Sequence, residues 1–388
     1  MTRRSRPALA GRHRERTAAA ACPPRAAAPR PTPEISPVPS SRTVHRQRVR
    51  PAALALPTAT LALLLAACSS GTTSGADPTA GGDAPPSGGG AATTYPLTLD
   101  DCGFEVTFDA APERVVTIKS STTEMLLALG LGDRIVASAF PDGPVPASLA
   151  DAAADVPAVV EPLSDKVPGA EAVLETEPDL VYAGWESNLT ADGAGDRETL
   201  ARLGVATYVS PAACKAPEYM PDPLTFDDVF AEITEVGTIF DAQDAATELV
   251  AQQRATLDGV ARDERGLTAL WYSSGDDIPY VGAGIGAPQM IMDAVGLENV
   301  AGDVHDTWTA FAWEEAIAAD PDVLVLVDAA WNTAEAKIER LESNPATTEM
   351  TAVREGRYLT IPFPATEAGV RNVDAVVDLA AQLEALDL

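Results

Sequence analysis

Few side chains in this sequence are suited to gripping a charged or planar molecule, and most of them follow apolar runs. Lys119, Ser120, Ser121 and Thr122 come directly after the run ERVVTI and before a helix start, where hydroxyls and free backbone N–H groups hold an anionic oxygen. The same residues suit plain capping, with Thr122 as the cap and Glu124 in the first turn. Lys166 in LSDKVPG and Arg371 in EAGVRNVD stand in loop-like segments of a chain poor in cations; each fits a phosphodiester or carboxylate, or a surface ion pair. Trp185, Tyr272, Trp308 and Trp331 are flat faces for stacking on a planar ring, or else core residues. Trp313, beside Glu314, is expected to pack under its own helix.

The same inventory excludes catalysis. His305 is the one histidine after residue 67, so a multi-His metal site is ruled out. No HExxH or GxSxG is present, and Asp276-Asp277 in SSGDDIPY lacks the ligand spacing of a calcium loop. GAGIGAP at 282–288 brings backbone close to a ligand or marks a turn, but it is not GxGxxG and has no acidic partner at the proper distance. The chemistry left is reversible capture: no enzyme, no cofactor and no metal site.

These residues need a scaffold, and the apolar patterning supplies one twice. ERVVTIKS at 113–120 reads as a strand and TEMLLALGLGDRIV at 123–136 as a helix stopped at Gly130. GLTALWYSS at 266–274 and QMIMDAVGLENVA at 289–301 repeat that order. Glu171 precedes Pro178-Asp179 by seven residues, and Glu314 precedes Pro321-Asp322 by seven. Each segment reads as a helix closed by proline and followed by a buried strand, the pattern of a parallel sheet covered by helices. The expected fold is therefore α/β, two Rossmann-like lobes with parallel sheets. Between them Phe226, Val229, Phe230, Ile233 and Val236 recur at helical spacing, and after a break at Gly237 to Asp241 Ala245, Leu249, Gln252 and Leu257 continue it. One long backbone helix is thus expected over 223–262, between lobes at 95–222 and 263–388, and this single stiff link would limit closure.

The N-terminal part reads as processing signals. Ala52 to Ala67 is an uncharged apolar run broken by Pro57, too short to span a bilayer at roughly 20 residues. Leu65-Ala66-Ala67-Cys68 looks like a bacterial lipobox, with Cys68 as the lipidated residue, 1–67 as leader and signal, and 68–94 as a Gly/Ser/Pro-rich tether. The first 50 residues carry 12 arginines, too many for an ordinary basic leader; initiation at Val44 or Val49 would leave a normal one. From Cys68 onward 15 basic residues face 55 acidic ones, a formal balance of −40. That excess repels nucleic acid and anionic bilayers, so a lipid must do the anchoring, although most of these charges serve solubility or halotolerance. Cys102 and Cys214 remain as a disulfide candidate, worth about 4 kcal/mol in the chain-entropy estimate, or as two buried thiols.

From about Tyr95 to Leu388 the sequence resembles the helical-backbone (class III) binding proteins of ABC importers for siderophores, haem and cobalamin. RVVTIKSSTTEMLLALGLGDRIV, DLVYAGWESNLTADGAG, YVSPAACKAPEYMPDPLTFDDVF, WYSSGDDIPYVGAGIGAPQMIMDAVG and NTAEAKIERLESNP are similar to the subgroup proposed to import the deazaflavin precursor factor 420-0. The resemblance implies an extracytoplasmic, lipid-anchored monomer on the cell membrane. It would pass a small anionic heteroaromatic ligand to a permease and its ATPase subunits, with Glu171 and Glu314 docking on permease arginines. An iron-siderophore, haem or cobalamin receptor is the alternative within the class, and a structural cell-envelope lipoprotein the alternative outside it. A lipoprotein metallohydrolase fails on the inventory above.

Overall fold

The computed structural model describes residues 92–386. The first lobe holds a four-stranded parallel sheet ordered β4-β3-β5-β6, built from β3 (Val115–Ile118), β4 (Ile135–Ala139), β5 (Leu180–Ala183) and β6 (Ala206–Val209). It is preceded by an antiparallel hairpin of β1 (Leu97–Asp101) and β2 (Phe104–Phe108), turning through Cys102 and Gly103 at positive φ. The second lobe holds a six-stranded sheet. Its strands are β7 (Thr268–Ser274), β8 (Tyr280–Gly282), β9 (Glu298–Asn299), β10 (Trp308–Ala310), β11 (Val323–Asp328) and β12 (Tyr358–Pro362). Here β7, β11 and β12 run parallel, while β8 and β10 add antiparallel strands at one edge.

Strands covered on both faces carry unbroken apolar runs, which is why VVTI, LVYA and VLVLV are buried at every residue. Successive residues feed different cores. Val116, Ile118 and Val181 face a cluster of the first lobe alone, and Leu270, Tyr272 and Leu324 one of the second alone. Val115, Leu180 and Tyr182 join Ala269, Trp271 and Val325 in a shared cluster that continues through Val229, Ile233 and Val236. One core thus passes through both lobes, which opposes large rigid-body opening.

The two Pro-Asp pairs have a common geometry. Glu177 and Asp320, each just before the proline, are left-handed at φ 49 and 43. Asp179 accepts the backbone N–H groups of Glu113 (2.7 Å) and Arg114 (3.0 Å), just before β3. Asp322 accepts the backbone N–H and the hydroxyl of Thr268, both at 2.9 Å, at the start of β7. In each lobe the aspartate therefore satisfies backbone donors at the entry of the neighbouring strand.

The link differs in detail from one continuous rod. It forms two helices, Phe226–Ile239 and Gln243–Asp258, packed side by side and separated at Phe240 to Ala242, with Asp241 at φ 55. Gly237 does not break the first helix; a Cβ there would lie 2.4 Å from that of Ala246. Its role is close approach of the two helices.

Candidate ligand-binding cleft

The cleft floor is set where two neighbouring strands end in left-handed residues, Lys119 after β3 (φ 87) and Phe140 after β4 (φ 53). Lys119 is wholly buried, and its ammonium pairs with Asp142. The same ammonium lies 3.5 Å from the Trp185 ring centroid, 4.7 Å from that of Phe140 and 5.0 Å from that of Phe363. A buried cation is costly unless paired, and here a carboxylate and ring faces share the task. Asp142 also occupies the start of the helix Ser120–Ala128: its Oδ2 accepts the Ser120 N–H at 3.3 Å, and Ser120 Oγ accepts the Asp142 N–H at 2.9 Å. The chain's own carboxylate therefore fills the place in which the sequence led us to expect a ligand oxyanion. Thr122 turns inward and donates to the Ile118 and Lys119 carbonyls, so it makes no wall of the cleft. Ser121 is half-buried against Gly184, where a Cβ would come within 2.8 Å of its Oγ.

Above the floor, residues from both lobes enclose about 500 Å³, open mouth included. Gly184, Trp185, Ser210 and Lys215 contribute from the first lobe, and Thr307, Trp308, Thr366 and Glu367 from the second. Trp185 Nε1 donates to the Glu367 carboxylate at 2.6 Å and so joins the two walls. Trp308 stacks on Tyr280 with a centroid separation of 6.1 Å, and the exposed Trp331 lies edge-on to Phe363 at 5.9 Å. Lys215 is exposed, and its ammonium has no ion pair among the described residues.

Three other expected positions fall elsewhere. Arg371 is buried and clamps Glu124 with two nitrogens while donating to the Pro144 carbonyl at 2.7 Å. It ties the second lobe to the first helix of the first lobe, leaving its guanidinium committed before any ligand arrives. Tyr272 lies in the core because β7 is packed on both faces; its hydroxyl donates to the Gly275 carbonyl (2.6 Å) and accepts from Arg340 (3.1 Å). Lys166 is exposed, two residues past the bridge between Ala139 and Ser164, and does not line the cleft. Trp313 packs edge-on to Tyr272 at 5.2 Å beneath its helix.

Beneath Ser210 lies a buried polar cluster. Ser210 Oγ and Tyr182 Oη both donate to Glu232, and Tyr208 donates to Glu235 at 2.6 Å. Burial pushes the Glu232 carboxyl up to about 7. Nearby Asp101 pairs with Arg197, yet burial outweighs that pairing and holds its carboxyl at about 6. Cys102 and Cys214 are joined, which fixes the hairpin turn to the segment after β6 that carries Lys215. Cys68 lies outside the described residues. Glu171 and Glu314 are both exposed in first turns, of helices Ala170–Glu175 and Trp313–Ala319.

The two-lobed frame, the shared core and the inter-lobe cleft coincide with a match of residues 115–365 to the family model described as periplasmic binding protein. The chain belongs to the periplasmic binding protein family. Among curated relatives, an uncharacterized ABC transporter substrate-binding lipoprotein, YvrC of Bacillus subtilis, is 25% identical over 298 residues, covering 74% of this chain and 86% of that protein. The vitamin B12-binding protein of Yersinia pestis is 25% identical over 221 residues, 56% of this chain and 70% of that one. A periplasmic binding protein from Veillonella parvula superposes with a TM-score of 0.65 at 27% identity, covering 77% of this chain and all of the other. An ABC-type Fe3+-hydroxamate transport protein from Saccharomonospora viridis gives 0.64 at 27% identity, covering 75% and 99%. This periplasmic binding protein is thus an extracytoplasmic solute-binding protein of the ABC-importer type, in a family of non-catalytic proteins.

Several cleft residues had no mark in the sequence. Phe140, Asp142, Phe363, Glu367 and Lys215 meet Lys119 and Trp185 only through tertiary structure, from positions up to 248 residues from Lys119. Glu124 was read as a first-turn helper for the helix, and its partner lies 247 residues away. The one usable local sign was Lys215 directly after Cys214.

Proposed function

We propose that this protein captures a metal chelate of low net charge, a corrinoid or a ferric siderophore, and delivers it to its permease. The observation that carries this reading is that the buried cations expected to hold a ligand anion are already matched: Lys119 beneath the cleft by Asp142, and Arg371 outside it by Glu124. What is left for the ligand is ring surface from Trp185 and Trp308, with one exposed ammonium, Lys215, and the Glu367 carboxylate. Such groups suit outer-sphere contact with an organic shell around a metal. The names of the vitamin B12-binding and Fe3+-hydroxamate relatives point the same way. A second reading, the deazaflavin factor 420-0, is favoured by the free ammonium of Lys215 close to two indoles that would stack on a heteroaromatic ring.

Delivery would use Glu171 and Glu314, whose equivalent first-turn positions on the two lobes present two carboxylates to a two-fold permease. Lipid on Cys68 would hold the protein at the outer face of the membrane. Native mass spectrometry and tryptophan fluorescence titration of the mature chain decide the ligand, using cobalamin, a ferric trihydroxamate, haem and factor 420-0. Saturable one-to-one binding of cobalamin or the trihydroxamate is expected. Binding of factor 420-0 alone moves the assignment to the second reading.

A further inference from the structure

We propose that Glu367 sets the charge class of the ligand, admitting neutral or cationic chelates and turning away multiply anionic ones. This rests on the chelate reading above and adds a residue that selects within it.

Glu367 lines the cleft from the second lobe, and its one direct side-chain partner there is the indole N–H of Trp185. No cation lies within ion-pair distance of it among the described residues. Around it stand Lys119, already paired to Asp142, the more distant Lys215, and Tyr280 beside Trp308. Lys119 and Lys215 face Asp142 and Glu367 here, with Asp306 and Glu186 beside the lining residues Thr307 and Lys215, so removing Glu367 makes the site one charge more positive. Asp142 also holds the helix start at Ser120 and is committed to the fold. Glu367 has no such structural duty beyond one hydrogen bond.

A carboxylate without a counter-ion in a partly dry cleft is unfavourable for folding, and burial indeed pushes its carboxyl up. Its use is discrimination: an unpaired charge placed against the wrong ligand rejects it as effectively as added contacts retain the right one. In so confined a site the repulsion is weakly screened by salt. The bond to Trp185 also fixes the indole that faces Lys119, so selection by charge and stacking on the ring occur at one point.

Glu367→Gln is nearly isosteric, and its amide oxygen can still accept from Trp185. The mature chain and this variant are titrated with a neutral ferric trihydroxamate and a trianionic ferric tris-catecholate, with tryptophan fluorescence compared against Trp185→Phe as the check on the retained contact. In Glu367→Gln the tris-catecholate is expected to bind at least tenfold more tightly while the trihydroxamate changes less than threefold, by the ordinary scale of one removed like charge. Lys215→Gln, an exposed change, should shift the ratio the opposite way. A ratio unmoved by either variant overturns the role of Glu367 while leaving the chelate reading intact. Failure of the trihydroxamate, the tris-catecholate and cobalamin alike to bind either form overturns the chelate reading and this selection with it.

Discussion

The two lobes share a plan but are held together by different forces. Both place a glutamate in the first turn of a short helix, a left-handed residue before proline, and an aspartate that accepts donors at a neighbouring strand. The first lobe adds covalent and ionic ties: the Cys102–Cys214 disulfide, the Asp101–Arg197 pair, the Lys119–Asp142 pair, and hydrogen bonds from Tyr182 and Ser210 to Glu232 of the link. The second lobe relies on apolar packing of Leu270, Val281, Leu324, Leu326, Leu341 and Met350. Its wholly buried cation, Lys337, donates to the Val327 and Asn332 carbonyls, with burial lowering its pKa to about 8. The lobe that holds the wholly buried Lys119 beneath the cleft is thus the one braced by charge and covalent bond. A shared topology does not impose a shared means of stability.

The largest test of that contrast is the joint change Cys102→Ser and Cys214→Ser. The disulfide spans 112 residues, and its loss should cost about 4 kcal/mol. Hydrogen exchange should show lost protection in β1, β2 and β6 while β7 and β11 keep theirs; equal loss in both lobes would break the comparison. Next, Leu326→Ala in the second core should cost about 3 kcal/mol in urea unfolding, because a fully buried side chain leaves a cavity. A cost under about 1 kcal/mol would mean that apolar packing is not what holds this lobe.

Glu232→Gln should act in the opposite direction. Burial lifts its folded pKa to about 7, above the ordinary glutamate value of 4.5, so the native state holds the proton more tightly than the unfolded chain. Stability from this group is therefore complete below about pH 4.5, falls as pH rises, and is gone above about pH 7. The variant should gain roughly 2 kcal/mol near pH 8 and under about 1 near pH 5, read as thermal unfolding at both values. The reverse order would place the buried charge elsewhere. The smallest effect tests what the lobes share: Asp179→Ala and Asp322→Ala should each cost about 1 kcal/mol, and a difference above about 2 would show that the matching positions do unlike work.

Much of the frame was legible because it is written in local spacing. Gly130 and Gly296 stop their helices at left-handed φ, the Pro-Asp pairs mark matching strands, and the apolar runs give both sheets. The edge strands β8 and β10 and the opening hairpin escaped, being short and bounded by turns. The cleft was legible in part: Lys119, Trp185 and Trp308 line or floor it, and Trp331 stands at the edge of Phe363. Arg371, Tyr272 and Thr122 were misread for one reason. A strand end or loop shows that a polar side chain is near the right edge of the sheet, but not whether another group of the fold, near or far in sequence, has already engaged it. Glu124, the β7 packing and the Ile118 carbonyl are those engagements.

Lys119 has a backbone conformation, φ 87 and ψ 153, that glycine adopts freely and a lysine holds only under strain of about 1–3 kcal/mol. Replacement by glycine would relax the chain and delete the floor of the cleft in one step. It would also leave the buried Asp142 carboxylate without its cation, a cost of about 3–5 kcal/mol that outweighs the relaxation, so the strained lysine is held by its own ion pair as well as by demand for the cargo. Lineages that cease to need the cargo should therefore lose Lys119 and Asp142 together, while those that change cargo should vary the rim and leave the floor alone.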